Sequence, residues 1–206
     1  MNISLYRNEL LTKGAILGCV MLASKIAETA MLYYGGAGWL TLLGLESLLM
    51  MAVYVFLIYR FTKSYSELVV AERKQAPYFS YGEGLLYAMN LSGLAGIVVA
   101  IGGYLYMHYA VGYESFIDAY IKLLQDVLSQ LPLSVNDIAQ LRKAFSELQK
   151  SVEPSILSNL LSVVSQYVMT GAFVGLVVAA FTKRNLVMFG TSENLDNNEN
   201  KPEDEQ

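Results

Sequence analysis

Apolar residues concentrate in four stretches of the chain, at about 11–34, 39–61, 84–111 and 160–181. Each has the roughly twenty residues needed to cross a hydrocarbon core about 30 Å thick at 1.5 Å per residue. The pattern predicts four membrane-spanning helices, with "GGAG" (Gly35 to Gly38) as a tight turn between the first two. The stretch 112–158 is too long for a plain connector and has a pattern of its own. Ile117, Tyr120, Ile121, Leu124, Leu128 and Leu131 recur at helical spacing until Pro132 stops them. "SVND" then offers Ser134 as an N-cap with Asp137 three residues on. Ile138, Leu141, Phe145, Leu148 and Val152 follow in alternating three- and four-residue steps. The expectation is an antiparallel hairpin of two amphipathic helices over about 115–153, outside the membrane. Their apolar faces should pack on each other; the alternative puts one face on the bilayer or on a partner. Glu153 and Pro154 read as the cap and first turn of the helix leading into the fourth span. Thr62 to Gly82 reads as a loop whose Lys63, Arg73 and Lys74 suit anionic headgroups.

Composition agrees with the pattern. The chain has 206 residues, 54% hydrophobic and 16% charged, against roughly 45–50% and about 25% for soluble domains. The fold class is therefore an all-α membrane protein, with four transmembrane helices and an extracytoplasmic amphipathic hairpin between the third and fourth. Residues 1–189 form one domain, and 190–206 form an acidic, disordered tail. In that tail six carboxylates face only Lys201, so the net charge of -4 becomes about +1 for the remainder. Basic residues are retained on the cytoplasmic side. Arg7, Lys13, Arg60, Lys63, Arg73, Lys74, Lys183, Arg184 and Lys201 fall on one side, and Lys122, Arg142, Lys143 and Lys150 on the other. This asymmetry predicts a multi-pass protein with cytoplasmic N and C termini.

Charges inside the first span are the one break in the pattern. At about 100° per residue, Gly14, Gly18, Met21, Lys25, Glu28 and Leu32 share one face. An antiparallel hairpin turning at Gly35 to Gly38 aligns positions whose numbers sum to about 73, bringing Lys25 level with Glu46 and Ser47 of the second span. A central charge costs at least about 2.5–3.5 kcal/mol on insertion scales, so the three should be paired. A Lys25–Glu46 contact is expected, with Glu28 one turn away and Ser24, Thr29, Ser47, Asn90 and Gln166 as supporting polar groups. The cluster acts either as a buried lock on helix register or as a site that handles protons or cations. Small residues mark the packing faces: Gly14 and Gly18 in the first span, Ser92, Gly96, Ala100 and Gly103 in the third, Gly171, Gly175 and Ala179 in the fourth.

Other chemistry is excluded or weak. Cys19 and His108 are the only cysteine and histidine, so no intramolecular disulfide and no His/Cys metal cluster is expected. "ILGC" (Ile16 to Cys19) is a poor lipoprotein box because Lys13 leaves too short an apolar core before it. "YFSYGEG" (Tyr78 to Gly84) lacks the Lys-Ser/Thr of a nucleotide loop. The Ser, His and Asp residues show no elbow motif. Neither an enzyme nor a cofactor is expected, and no nucleic acid partner.

With the spans placed, the chain resembles a bacterial membrane family known as domain of unknown function 4199. The resemblance covers roughly residues 9–185 and is carried by "FSYGEGLLYAMNLSGLAGIVVAIGGYLYMHYA" (Phe79 to Ala110), "GAFVGLVVAAFTKRN" (Gly171 to Asn185) and the amphipathic loop between them. It implies a four-span protein of the inner membrane in Gram-negative bacteria and supplies neither an activity nor site residues. The leading expectation is a non-enzymatic structural or assembly component, meeting a second copy or a membrane-protein partner within the lipid bilayer. The alternative is a proton- or cation-handling channel or transporter subunit using Lys25, Glu28 and Glu46. A third, ligand binding by the hairpin, requires a pocket between its two helices.

Overall fold

A computed structural model describes residues 3–35, 37–73, 78–129, 135–150 and 152–183. Its elements are α1 (Ile3–Tyr34), a 3-10 turn (Ala37–Trp39), α2 (Leu40–Glu72), α3 (Tyr81–Tyr106) continued by a π-helical turn (Met107–Val111), α4 (Tyr113–Leu128), α5 (Val135–Gln149) and α6 (Ile156–Thr182). Four of these helices are long and apolar enough to cross a membrane, so the fold is the expected all-α membrane class. The start of α1 and the end of α6 lie at the same end of the bundle, the termini end; the α1–α2 turn and α4 mark the opposite, hairpin end.

Helix α3 is the central element, because small residues on two of its sides let neighbours approach its backbone. Along one side α1 runs parallel to it. Leu94 fills the space over Gly14, Val98 that over Gly18, and Leu22 in turn fills the space over Gly102. On another side α6 runs antiparallel. Gly84 meets Ala179, Gly175 meets Ala88, Gly171 meets Ser92 and Gly96 meets Tyr167. A Cβ added at Gly18 would lie 2.6 Å from Val98 Cβ, and one at Gly171 would collide with Ser92 Oγ. Five of the six predicted packing glycines are therefore used within the chain. Gly103 is the exception, since a Cβ there meets nothing within 4 Å. The contact belongs to Gly102, because α1 and α3 keep one register along their whole interface.

Helix α2 has no comparable stripe and is held by aromatic rings at the termini end. Tyr65 stacks flat on Tyr87 with centroids 4.2 Å apart, and Phe79 meets Tyr65 edge-on. Tyr6 of α1 meets both tyrosines edge-on, and its hydroxyl accepts a 2.8 Å bond from Asn90 Nδ2. Lys13, paired with Glu9, donates to Ser64 Oγ at 3.0 Å. Arg73 closes the α2–α3 connection on Glu83 at 2.5 Å, while Glu83 also completes a capping box with Ser80. That hydrogen bond holds the Arg73 guanidinium above its ordinary range.

Two element boundaries and one buried face differ from the pattern. Helix α2 continues to Glu72, through residues read as loop from Thr62, because Tyr65, Ser66 and Val69 extend the buried stripe at helical spacing. At about 50 Å for 33 residues it exceeds the thickness of a hydrocarbon core. Helix α6 is capped by Ser155, which accepts from Ser158 N–H, so Glu153 and Pro154 precede the helix instead of starting it. Ile121 of the predicted α4 stripe is buried, and so is Leu123 off that stripe, since α4 contacts α1 and the 3-10 turn as well as α5. Ser134 and the acidic tail lie outside the described residues.

The glycine contacts make a direct expectation. Gly18→Ala should lower stability by about 1–3 kcal/mol, the typical cost of overpacking a filled interface. Gly103→Ala should be neutral or add up to about 1 kcal/mol through helix propensity. Thermal unfolding of the purified variants in one detergent measures both.

Candidate functional site

Tight at the termini end and open at the other, the bundle encloses a cavity of about 520 Å³ between α1, α2, α3 and α6. Helical spacing explains why its walls are polar. On α1, Met21, Lys25 and Glu28 occupy one face, flanked by Ser24 and Thr29. On α2, Ser47, Met50 and Tyr54 succeed one another at three- and four-residue steps beside Glu46. On α6, Asn159, Val163, Gln166 and Thr170 do the same, with Tyr167 beside Gln166. Gly103 and Tyr104 of α3 line the remaining wall, with Tyr113 and Glu153 at the hairpin end.

The three intramembrane charges all reach this cavity, but their pairing differs from the expected one. Lys25 Nζ bonds Glu28 Oε2 at 2.9 Å, one turn along its own helix. Glu46 Oε1 accepts from Ser24 Oγ at 2.5 Å. The predicted alignment of α1 with α2 is thus correct in height and off by one residue in rotation. Gly14 and Gly18 face α3 and not α2, which turns Ser24 onto Glu46 and leaves Lys25 directed into the cavity. Lys25 also remains on the face it shares with Glu28, where an i,i+3 pair forms without any help from α2. Of the supporting groups, Ser24, Thr29, Ser47 and Gln166 line the cavity; Asn90 does not, being bonded to Tyr6 at the termini end.

The cavity has a closed floor. Tyr54, 2% exposed, donates to Ser92 Oγ at 2.9 Å and meets Tyr167 edge-on at 6.1 Å. Tyr54 shares one apolar cluster with Leu17, Ile58 and Leu91, all fully buried. This layer separates the cavity from the tyrosine cluster around Tyr65 and Tyr87. At the mouth, Glu153 Oε2 lies 3.0 Å from His108 Nδ1, and the His108 ring stacks on Tyr104 at 5.8 Å. His108 sits in the π-helical turn, whose last bond runs from Gly112 N–H to Met107 O at 2.8 Å before Gly112 turns the chain at φ +83. Glycine suits that turn, as an L side chain there would be strained. The only histidine therefore ties α3 to the segment leading into α6.

Glu153, Tyr104, Tyr167 and Asn159 are cavity residues that the charge pattern did not single out. A polar stripe of Asn159, Gln166 and Thr170 along α6 was the available signal, since these residues fall within about 40° of one another. The cavity lies among the spanning helices and not between α4 and α5, where the hairpin-binding reading needed it. Among the described residues no group of three or more His, Cys, Asp or Glu side chains is placed to hold a metal ion.

The pairing can be tested by double-mutant cycles. Ser24→Ala with Glu46→Gln should show coupling of about 1 kcal/mol or more, as for a hydrogen bond to a charged group. Lys25→Met with Glu46→Gln should couple by less than about 0.5 kcal/mol, the level of independent sites. Reversible unfolding in mixed micelles supplies the free energies.

No curated protein and no solved structure matches the chain. The profile of one family, described as "Protein of unknown function (DUF4199)", matches residues 12–184, from within α1 to past the end of α6. The chain belongs to the DUF4199 family.

Proposed function

We propose that this chain is a non-enzymatic inner-membrane protein that binds a small polar ligand in the cavity among its four spanning helices. The observation that carries this reading is the cavity itself. Its volume of about 520 Å³ lies within the roughly 300–1,000 Å³ of small-molecule sites, and charged and hydroxyl groups from three helices converge on it. Charged side chains at such depth default to a functional role. In this reading both termini are cytoplasmic and the cavity opens toward the periplasm, beneath the α4–α5 hairpin. The basic residues support that orientation: Arg7, Arg60, Lys63, Arg73 and Lys183 sit at the termini end.

Two observations weigh against the competing roles. Assembly through the small-residue faces finds Gly14, Gly18, Gly96, Gly171 and Gly175 already occupied by neighbours in the same chain. Ion passage through the Lys25, Glu28 and Glu46 cluster meets the apolar layer of Leu17, Ile58 and Leu91. A blind site that takes up a ligand from one side fits both.

The test combines access and occupancy. Ser47→Cys in a Cys19→Ser background should react with a membrane-impermeant maleimide added to the outside of spheroplasts. A thermal-shift screen of small cations, anions and neutral solutes should find at least one that stabilises the protein. Gly103→Leu, which projects into the cavity from a position with free space, should abolish that shift. A screen in which no solute gives a shift that depends on Gly103 overturns the ligand-binding reading.

A further inference from the structure

Resting on that reading, we infer that the ligand is an organic cation with an apolar body, its ammonium held at Glu46. Formal charge comes first. The cavity wall carries Glu28, Glu46 and Glu153 against a single ammonium, Lys25. Lys25 is committed to Glu28, and Glu153 to His108. Among the described residues, only the neutral Ser24 hydroxyl is bonded to Glu46. A part-buried carboxylate attracts a cation and repels an anion. An anionic ligand would have to take Lys25 from Glu28, leaving two more carboxylates facing it.

The arrangement also separates an organic cation from an inorganic one. Metal ions need several oxygens converging at about 2.0–2.6 Å, and no such group exists among the described residues. The carboxylates are instead spread around a cavity large enough for a whole small molecule. The charged groups of its wall lie toward the hairpin end, and Tyr54 and Tyr167 line the inner end. The constant α1–α3 register, with Gly18 against Val98 and Leu22 against Gly102, places Tyr104 level with Ser24, and hence with Glu46. Glu46 and Tyr104 both line the cavity, a carboxylate and an aromatic ring, the combination that recognises alkylated amines. Tyr54 lies eight residues further along α2, about 12 Å deeper. It forms, with Tyr167 edge-on to it, an aromatic floor packed in the same apolar cluster as Leu17. A ligand spanning both levels has a charged head and an apolar body of about that length or less.

Benzyltrimethylammonium is a soluble probe with both parts; benzylsulfonate reverses its charge, and magnesium chloride supplies a metal ion alone. Isothermal titration of the full-length protein in detergent should detect the ammonium compound and neither of the others. Glu46→Gln should weaken its binding by about tenfold or more, the loss of one charge-assisted contact. Ser47→Lys, which tethers an ammonium beside Glu46 and leaves the carboxylate in place, should abolish binding, so the outcome does not depend on Glu46→Gln folding. Binding of benzylsulfonate or magnesium that Gly103→Leu removes would overturn the organic-cation inference and leave the ligand-binding reading standing. The organic-cation inference falls in the same way if benzyltrimethylammonium binds Glu46→Gln or Ser47→Lys as it binds the unmodified protein. Loss of every Gly103-dependent signal, whatever the charge of the probe, would overturn both.

Discussion

Close backbone approach to α3 is the constraint from which the rest of this bundle follows. In lipid there is no hydrophobic exclusion to press helices together, so contact must come from surfaces that interlock. Helix α3 supplies two such surfaces, one toward α1 and one toward α6, and each partner answers with glycines of its own. Where the small residue sits on α1, the bulky one sits on α3, and at Gly102 the roles reverse. That exchange fixes both the height and the rotation of α1, and with them the direction of every charge it carries.

The cavity is the counterpart of that close packing. Three helices satisfy one another through small residues, whereas Gly44, the one glycine of the fourth, meets no neighbour within 4 Å. Helix α2 instead uses ring stacking near Tyr65 and Tyr87, and those rings gather where α2 leaves its expected span. At the hairpin end its outward side chains, including Leu45, Leu48 and Leu49, are exposed at 63% or more. They present an apolar surface suited to acyl chains. The inward side carries Glu46 and Ser47 and has room before it. Polar residues in a span need partners or water; here Ser24 and the cavity provide them.

How much of this was legible in the sequence depends on what kind of constraint each feature obeys. The spans, the tight turn and the two amphipathic helices are local patterns, and the structure has them at nearly the expected places. The α1–α2 alignment follows from turn position alone, which is why Ser24 and Glu46 meet at the expected height. Rotation about the helix axis is different, because one residue changes the facing direction by about 100°. It is decided by which neighbour the glycine face selects, and Gly14 and Gly18 select α3. For the same reason Gly103 looked like part of a packing stripe and instead borders the cavity. Glu153 could not be foreseen as a cavity residue, since its place depends on His108 and a π-helical turn that the residue pattern does not announce.

One consequence concerns how a helix held most firmly at one end responds to force. Helix α2 is fastened among the rings at Tyr65 and again at Tyr54, which bonds Ser92. Eight residues separate Tyr54 from Glu46, a lever of about 12 Å. A tilt of about 5° at Tyr54 moves Glu46 by about 1 Å, less than the span of one hydrogen bond. Past Tyr54 the restraints are lighter: a serine hydroxyl on one carboxylate and the 3-10 turn that joins α2 to α1. Stiffness in this molecule is therefore graded along its axis, highest where the rings stack and lowest beside Glu46.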